Sequence, residues 1–122
     1  MSTLKVTNIQ ATGETASRAV SGVAAAWVNF DGTGTIATRD SSNVASLTDN
    51  GTGDYQINIS SAISSSNYYV GESGATNTTS EIRHYNTLTR TTTAVQIQCR
   101  DNNGNPFVDT AYAGVSIHGD LA

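Results

Sequence analysis

Two short stretches gather the oxygen-bearing side chains that hold hard cations: Asp49-Asn50-Gly51-Thr52-Gly53-Asp54 and Asp101-Asn102-Asn103-Gly104-Asn105. Ca²⁺ takes about six to eight oxygen ligands, and an EF-hand loop needs Gly at its sixth position and Glu at its twelfth. Neither stretch has that pattern. Asn, Asp and Gly also close turns without any ion, so both are read as turns and no metal is expected. His84 and His118 are the only histidines, and their spacing makes no zinc motif. Cys99 is the only cysteine, which rules out an intrachain disulfide. A cysteine nucleophile sits at an exposed loop or a helix N-terminus beside a base. Cys99 instead shares strand parity with Val95 and Ile97, so it is read as a small buried hydrophobe. Gly32-Thr33-Gly34 lacks the Lys-Ser/Thr of a phosphate-binding loop. A glycosidase needs two carboxylates across a cleft, and loops this short leave little room for one. The expectation is a chain with no cofactor that is not an enzyme.

Composition points the same way. The 122 residues fit one domain, with 37% hydrophobic and 13% charged residues. The balance is 18 Thr, 14 Ser, 11 Asn and 11 Gly. Disordered chains combine low hydrophobicity with high charge and few β-branched residues. Here Thr, Val and Ile are plentiful, and they favour strands. Net charge is −4 with a single lysine, Lys5, and the five arginines are scattered. A groove that follows phosphates needs clustered Lys and Arg, so nucleic acid is not an expected partner, nor is an anionic membrane surface. The N-terminus Met1–Gln10 lacks the layout of a signal peptide, and no stretch approaches a membrane span. Synthesis in a cytoplasm without Sec export or membrane insertion is expected.

The elements follow from alternation. Thr3–Gln10 reads as a weak strand. Ala11–Gly22 reads as a linker, with at most a helical turn or two over Glu14–Val20. Ala26–Phe30 is a strand with Val28 and Phe30 inward and Trp27 and Asn29 outward. After the turn Asp31–Gly34, Thr35–Arg39 returns as its hairpin partner. Asp40–Asn43 reads as a loop that Val44 and Leu47 anchor to the core. Asn50-Gly51 is the strongest turn signal and suits a type I′ hairpin. Asp54–Ser60 puts Tyr55, Ile57 and Ile59 inward. Ser61–Ser66 is a loop with Ala62 and Ile63 tucked in, followed by a strand over Asn67–Glu72. Ser73–Ser80 reads as an exposed loop. Glu81–Leu88 reads as a strand with Ile82 and His84 on one parity. Thr91–Arg100 puts Val95, Ile97 and Cys99 inward, and Tyr112–Gly119 closes the domain on Val115 and Ile117. Gln56, Asn58, Gln96 and Gln98 fall on the outward parity. Tyr68, Tyr85 and Tyr112 are candidate stacking surfaces for sugar rings. The sum is an all-β, antiparallel β-sandwich of about seven or eight strands. It is a single domain over 26–122, with a short N-terminal arm over 1–25.

The string Ala26-Trp27-Val28-Asn29-Phe30-Asp31-Gly32-Thr33-Gly34-Thr35 resembles the AWVNF-x-GTGT opening of bacteriophage tail-fibre and virion-surface modules. Arg39-Asp40-Ser41 to Leu47 and Thr48–Tyr55 (TDNGTGDY) are similar to that family's continuation, as are Ser2–Val6 and Val115–Asp120. Gly71–Arg90 departs from the pattern. The resemblance implies a virion component, a tail-fibre or receptor-binding module that mediates host attachment, with a capsid decoration protein or head fibre as the alternative. It implies a homotrimer, in contact with other virion proteins and with a host surface glycan or outer-membrane receptor. The low hydrophobic content and the polar, nearly uncharged outward faces also fit burial between copies. In that picture Leu4, Val6 and Ile9 form a docking arm. Asn77, Thr78, Tyr85 and Asn86 belong to a host-facing loop.

Overall fold

A computed structural model describes residues 1–10, 12–19, 23–75, 83–102 and 106–122. Among these residues ten strands run in chain order: β1 (Asn8–Ile9), β2 (Arg18–Ala19), β3 (Ala24–Asp31), β4 (Ala37–Ser42), β5 (Val44–Gly51), β6 (Asp54–Ile59), β7 (Tyr69–Ala75), β8 (Arg83–Arg90), β9 (Ala94–Asp101) and β10 (Tyr112–His118). Eight of them form two four-stranded antiparallel sheets, β4-β3-β10-β7 and β5-β6-β9-β8, which pack as a β-sandwich. β1 and β2 pair only with each other, so the segment read as linker or helix contains a strand at Arg18–Ala19. Leu4, Val6 and Ile9 are exposed on this arm.

The inward parities place the core between the sheets. Val28 and Phe30 on β3 and Val115 and Ile117 on β10 face Tyr55, Ile57 and Ile59 on β6 and Val95, Ile97 and Cys99 on β9, and all are buried. Phe30 and Tyr55 meet edge to face, with ring centroids 5.2 Å apart. Ile63 plugs one end of the core, and Ala62 beside it is half-buried. Tyr68 is buried there too, its hydroxyl within reach of the carbonyls of Thr91 (3.0 Å) and Ala94 (3.1 Å). It is therefore a core residue and not a stacking surface.

The opposite end is closed by a polar pin. The Gly53 amide donates to Asp109 Oδ1 (2.8 Å), and the Gly32 amide donates to the Thr110 carbonyl (2.9 Å). The Tyr55 hydroxyl sits among the Gly32 carbonyl (3.2 Å), Asp109 Oδ1 (3.0 Å) and the Thr110 amide (3.3 Å). Burial pushes the Tyr55 phenol above its ordinary pKa, and the Asp109 carboxylate adds to this against the Thr110 amide, so the group stays protonated. Thr110 is fully buried, with its hydroxyl 3.0 Å from Cys99 Sγ. Gly32, Gly53, Asp109 and Thr110 come from the turns and the β9–β10 connection, so the buried Tyr55 hydroxyl finds its partners where the chain turns or changes sheets.

Three parts of the sequence reading are corrected. Asp40–Asn43 is not a loop: Asp40–Ser42 belongs to β4, Val44 starts β5, and the chain changes sheets at Asn43 alone. Asn43 has φ 56°. Its side-chain amide donates to the carbonyls of Ala25 (3.0 Å) and Ser61 (3.0 Å), and its Oδ1 accepts from the Ser61 amide (2.7 Å). Val44 and Leu47 do pack against the core, as strand residues. The Asn50-Gly51 turn is displaced. Gly51 pairs with Asp54 across a turn of Thr52 and Gly53, and Asn50 sits at a register shift. Gly51 (φ 133°) and Gly53 (φ 64°) take positive φ, whereas Asn50 does not. Finally, Ser73–Ala75 extends β7, and His84 on β8 points outward while Arg83, Tyr85 and Thr87 take the inward parity. Thr76–Ile82, including Asn77 and Thr78, lies outside the described residues, as do Asn103–Asn105 of the predicted turn.

The Asn43 corner yields a prediction. Asn43→Ala removes three side-chain hydrogen bonds and leaves a β-carbon at positive φ, so it should destabilise by about 1–3 kcal/mol. Asn43→Asp keeps the acceptor but loses both donated bonds. Urea unfolding should rank Asn43→Ala well below wild type. Equal midpoints would show that the corner does not depend on these bonds.

Candidate functional site

The outer face of the sheet β4-β3-β10-β7 carries an open groove along β10. Alternation dictates its lining. On β3 the residues between the core positions are Trp27 and Asn29; on β10 they are Tyr112, Gly114, Ser116 and His118; on β7 they are Tyr69, Gly71, Ser73 and Ala75. The register sets them in rows. His118 stands beside Tyr69, and Ser116 lies between Trp27 and Gly71. Gly114 lies between Asn29 and Ser73, and Tyr112 stands beside Ala75. One hollow of about 370 Å³ lies over Trp27, Gly71, Ser73, Gly114 and Ser116. A second, of about 220 Å³, continues it over Asn29, Ala75 and Tyr112 and shares Ser73 and Gly114.

Glycine makes the floor. Gly71 and Gly114 have no positive φ, so backbone geometry does not require glycine at either position. A glycine inside a strand costs about 0.5–1 kcal/mol relative to alanine, and such a position often marks close approach by a ligand or another backbone. A β-carbon at Gly71 would come within 2.9 Å of Ser116 Oγ, and one at Gly114 within 2.6 Å of Ser73 Oγ. Both neighbours are ends of rotatable side chains. Gly74, on the other parity, has a separate reason: a β-carbon there would overlap the Tyr85 ring and hydroxyl.

Trp27 borders the first hollow and Tyr112 the second, and Tyr69, beside His118, stands on the same face beyond both. Trp27, Tyr69 and Tyr112 are 36%, 68% and 48% exposed, a concentration of exposed ring surface on one sheet face. The Arg39 guanidinium covers the Tyr112 ring at 4.5 Å, donates to the Phe30 carbonyl (2.8 Å) and pairs with Asp31 (3.1 Å). The Thr33 hydroxyl and amide, with Arg39, hold the Asp31 carboxyl below its usual range, so this pair stays charged and mutually neutralised. At the far end, Ser116 Oγ lies 3.2 Å from His118 Nε2, and the His118 ring lies 6.1 Å from Tyr69.

Ser116 and His118 are a pairing that the sequence reading missed. The S-x-H spacing on a strand puts both on one face, which is the signal that was there to find. A serine nucleophile also needs backbone N–H groups aimed at the oxyanion. β10 is a central strand, bonded on both sides to β3 and β7, so its own amides are engaged in the ladders. The arrangement offers hydroxyl, amide and imidazole partners for a bound molecule.

The other outer face, on β5-β6-β9-β8, matches the sequence reading. Gln56 Nε2 donates to Asn58 Oδ1 (2.8 Å), and Asn58 Nδ2 reaches Ser46 (3.0 Å) and Thr48 (3.0 Å). Gln96 and Gln98 donate to the two Asp54 oxygens at 2.7 and 3.0 Å. Partial burial raises the Asp54 pKa, but the bonds from Gln98, Gln96 and Asn50 outweigh it and hold the carboxyl below its ordinary 3.8. A depressed folded-state pKa stabilises above the unfolded value and is lost as pH falls through the folded value. Stability should therefore decline below pH 3.8, and Asp54→Asn should flatten that decline. Urea midpoints across the acid range would check this; parallel profiles would remove Asp54 from the account.

Asp49 Oδ1 is bonded by the Gly51 amide (2.9 Å), as a turn requires. Among the described residues no cluster of three or more His, Cys, Asp or Glu forms a metal site, and no helix is long and apolar enough to cross a membrane. Cys99 is fully buried, as its parity predicts. Of the residues placed in a host-facing loop, Tyr85 and Asn86 stand in β8 instead. Tyr85 packs against the core and Asn86 is exposed beside Gln98. Of the three candidate stacking tyrosines only Tyr112 lines the groove, half-exposed and with Arg39 over one face of its ring. The molecule is thus an antiparallel β-sandwich with an aromatic-walled groove on one outer face. No protein-family model, curated protein or solved structure matches the chain.

Proposed function

We propose that this chain is a structural, non-catalytic module of a bacteriophage virion, a tail-fibre or receptor-binding element that attaches the particle to its host. The observation that carries the reading is the groove: a built, open, ring-lined surface with hydrogen-bonding groups, on a sheet face that the core does not need. The sequence resemblance to tail-fibre modules supplies the virion context. The amide ladder of the opposite face is polar, and its carboxylate, Asp54, already has hydrogen bonds from Gln96 and Gln98; this supports a homotrimer held there or through the arm bearing Leu4, Val6 and Ile9. Purified chain added before infection should compete with phage adsorption, and immunogold labelling should decorate the tail. Label spread over the shell at high copy number would instead favour capsid decoration or a head fibre. A virion lacking the chain altogether would overturn both. Light scattering should give three copies per particle of purified protein; a folded monomer at micromolar concentration would remove the trimer.

A further inference from the structure

The groove's chemistry is specific enough to name a ligand class, which deepens the attachment reading and rests on it only for biological context. We infer that the groove along β10 binds an uncharged oligosaccharide, lying with one sugar ring over Trp27 and the next against the side of Tyr112 away from Arg39, its hydroxyls toward Asn29, Ser73 and Ser116 and, just beyond the hollow, His118. The C–H face of a pyranose is apolar and weakly positive, which suits the electron-rich face of an aromatic ring. Its rim carries only hydroxyls, which need both donors and acceptors. The groove offers these from Asn29, the two serines and the imidazole.

Length and charge narrow the class. The hollows run from Ser116 to Tyr112, four residues of β10 and about 13 Å at the rise of an extended strand, so the track is longer than one sugar, with Trp27 near one end and Tyr112 at the other. The two hollows run in line along it and share Ser73 and Gly114. The Arg39 charge is paired with Asp31. Asp40 is exposed on β4 directly beside Asn29, at the rim, and the whole chain carries −4. Among the described residues no unpaired cation stands at the groove to bind uronate or sialate, so a neutral glycan fits and an acidic one does not. A site built for sugar also explains why Gly71 and Gly114 occupy strand positions that any residue adopts.

The test uses the full chain. Trp27 is the only tryptophan, so its fluorescence reports occupancy of the groove. The probes are neutral glucan, galactan and mannan oligosaccharides, with polygalacturonate as the acidic control. At least one neutral probe should give a saturable change in emission, and polygalacturonate should give none. Gly114→Val fills the floor with a residue that favours strands, so its melting temperature should hold or rise while binding is lost. By calorimetry, Trp27→Ala should bind about tenfold more weakly, and Trp27→Phe should recover part of that. The inference is overturned by silence from every neutral probe, by equal binding of polygalacturonate, or by binding that survives Gly114→Val. It is also overturned if Trp27 emission shifts to the red on dilution, which would put a second copy in the groove. If sugar binds but the chain does not compete with adsorption, the attachment reading fails and the site stands. If the chain competes but binds no neutral sugar, the reverse holds.

Discussion

Gly53→Ala is expected to be severely destabilising for a change that adds one methyl group, costing more than about 4 kcal/mol and leaving little folded chain. Two effects add. Gly53 sits at φ 64°, where a β-carbon costs about 1–2 kcal/mol in any context. The added carbon would also lie 2.6 Å from the Cys99 carbonyl oxygen, 2.6 Å from the Val108 carbonyl oxygen and 2.8 Å from the Val108 nitrogen. All three are main-chain atoms of β9 and of the segment that returns toward β10. They are also tied to each other and to Gly53: the Cys99 amide donates to the Gly53 carbonyl (2.7 Å), and the Val108 amide donates to the Cys99 carbonyl (3.2 Å). Relief of the clash would break the pin that aligns Asp109 and Thr110 with Tyr55. Gly51→Ala is the control, because Gly51 has φ 133° but no atom within 4 Å of a built β-carbon. It should lose only the conformational part. Guanidinium unfolding of the two variants should separate them widely; similar midpoints would show that crowding at Gly53 is relieved without cost.

The contrast between these two glycines shows where sequence reasoning stops. D-N-G-T-G-D announces a turn, and the turn is there. Which glycine is crowded depends on Cys99 and Val108, far along the chain, and no local signal brings them near. The inward parities of β3, β6, β9 and β10 were legible because those are inner strands with strict alternation and apolar inward residues. The edge strands were not. β4 is exposed along most of its length, so Asp40–Ser42 looks like a loop. Register shifts between Val44 and Ser46 and between Thr87 and Thr89 break the period of two in β5 and β8. In β8 the inward positions are Arg83, Tyr85 and Thr87, with Arg83 paired to Asp101 (3.2 Å) and Thr87 bonded to Glu72 of the other sheet. A polar inner face gives a hydrophobicity pattern nothing to follow, so the sequence does not say which parity of β8 faces the core. The groove was legible only in pieces. Alternation puts Trp27 and Asn29 outward, and Tyr112 is one of the candidate stacking tyrosines. Gathering them with Tyr69 and Gly71 required the pairing of β10 with both β3 and β7, and strand order is a long-range property.

Ile57→Ala is expected to cost about 2–5 kcal/mol, as large-to-small changes at packed core sites do. Ile57 is 1% exposed and lies on β6, between Leu47 of β5 and Val95 of β9. It faces the other sheet, so truncation opens a void in the middle of the sandwich, where strands bonded on both sides cannot close in. Ile57→Val should cost about 0.5–1.5 kcal/mol, since it removes one methylene. Both should lower the denaturation midpoint with the slope unchanged. A loss well under 1 kcal/mol for Ile57→Ala would mean that the side chain is not in the core and that the β6 register is wrong. The groove supplies the complementary expectation. It lies on the far side of the other sheet, so below its melting temperature the Ile57→Ala protein should bind sugar with wild-type affinity. Gly114→Val should do the opposite, keeping stability and losing binding. That crossed pattern is what a sandwich predicts when the facing inner surfaces hold the fold and the outer face of one sheet holds the site.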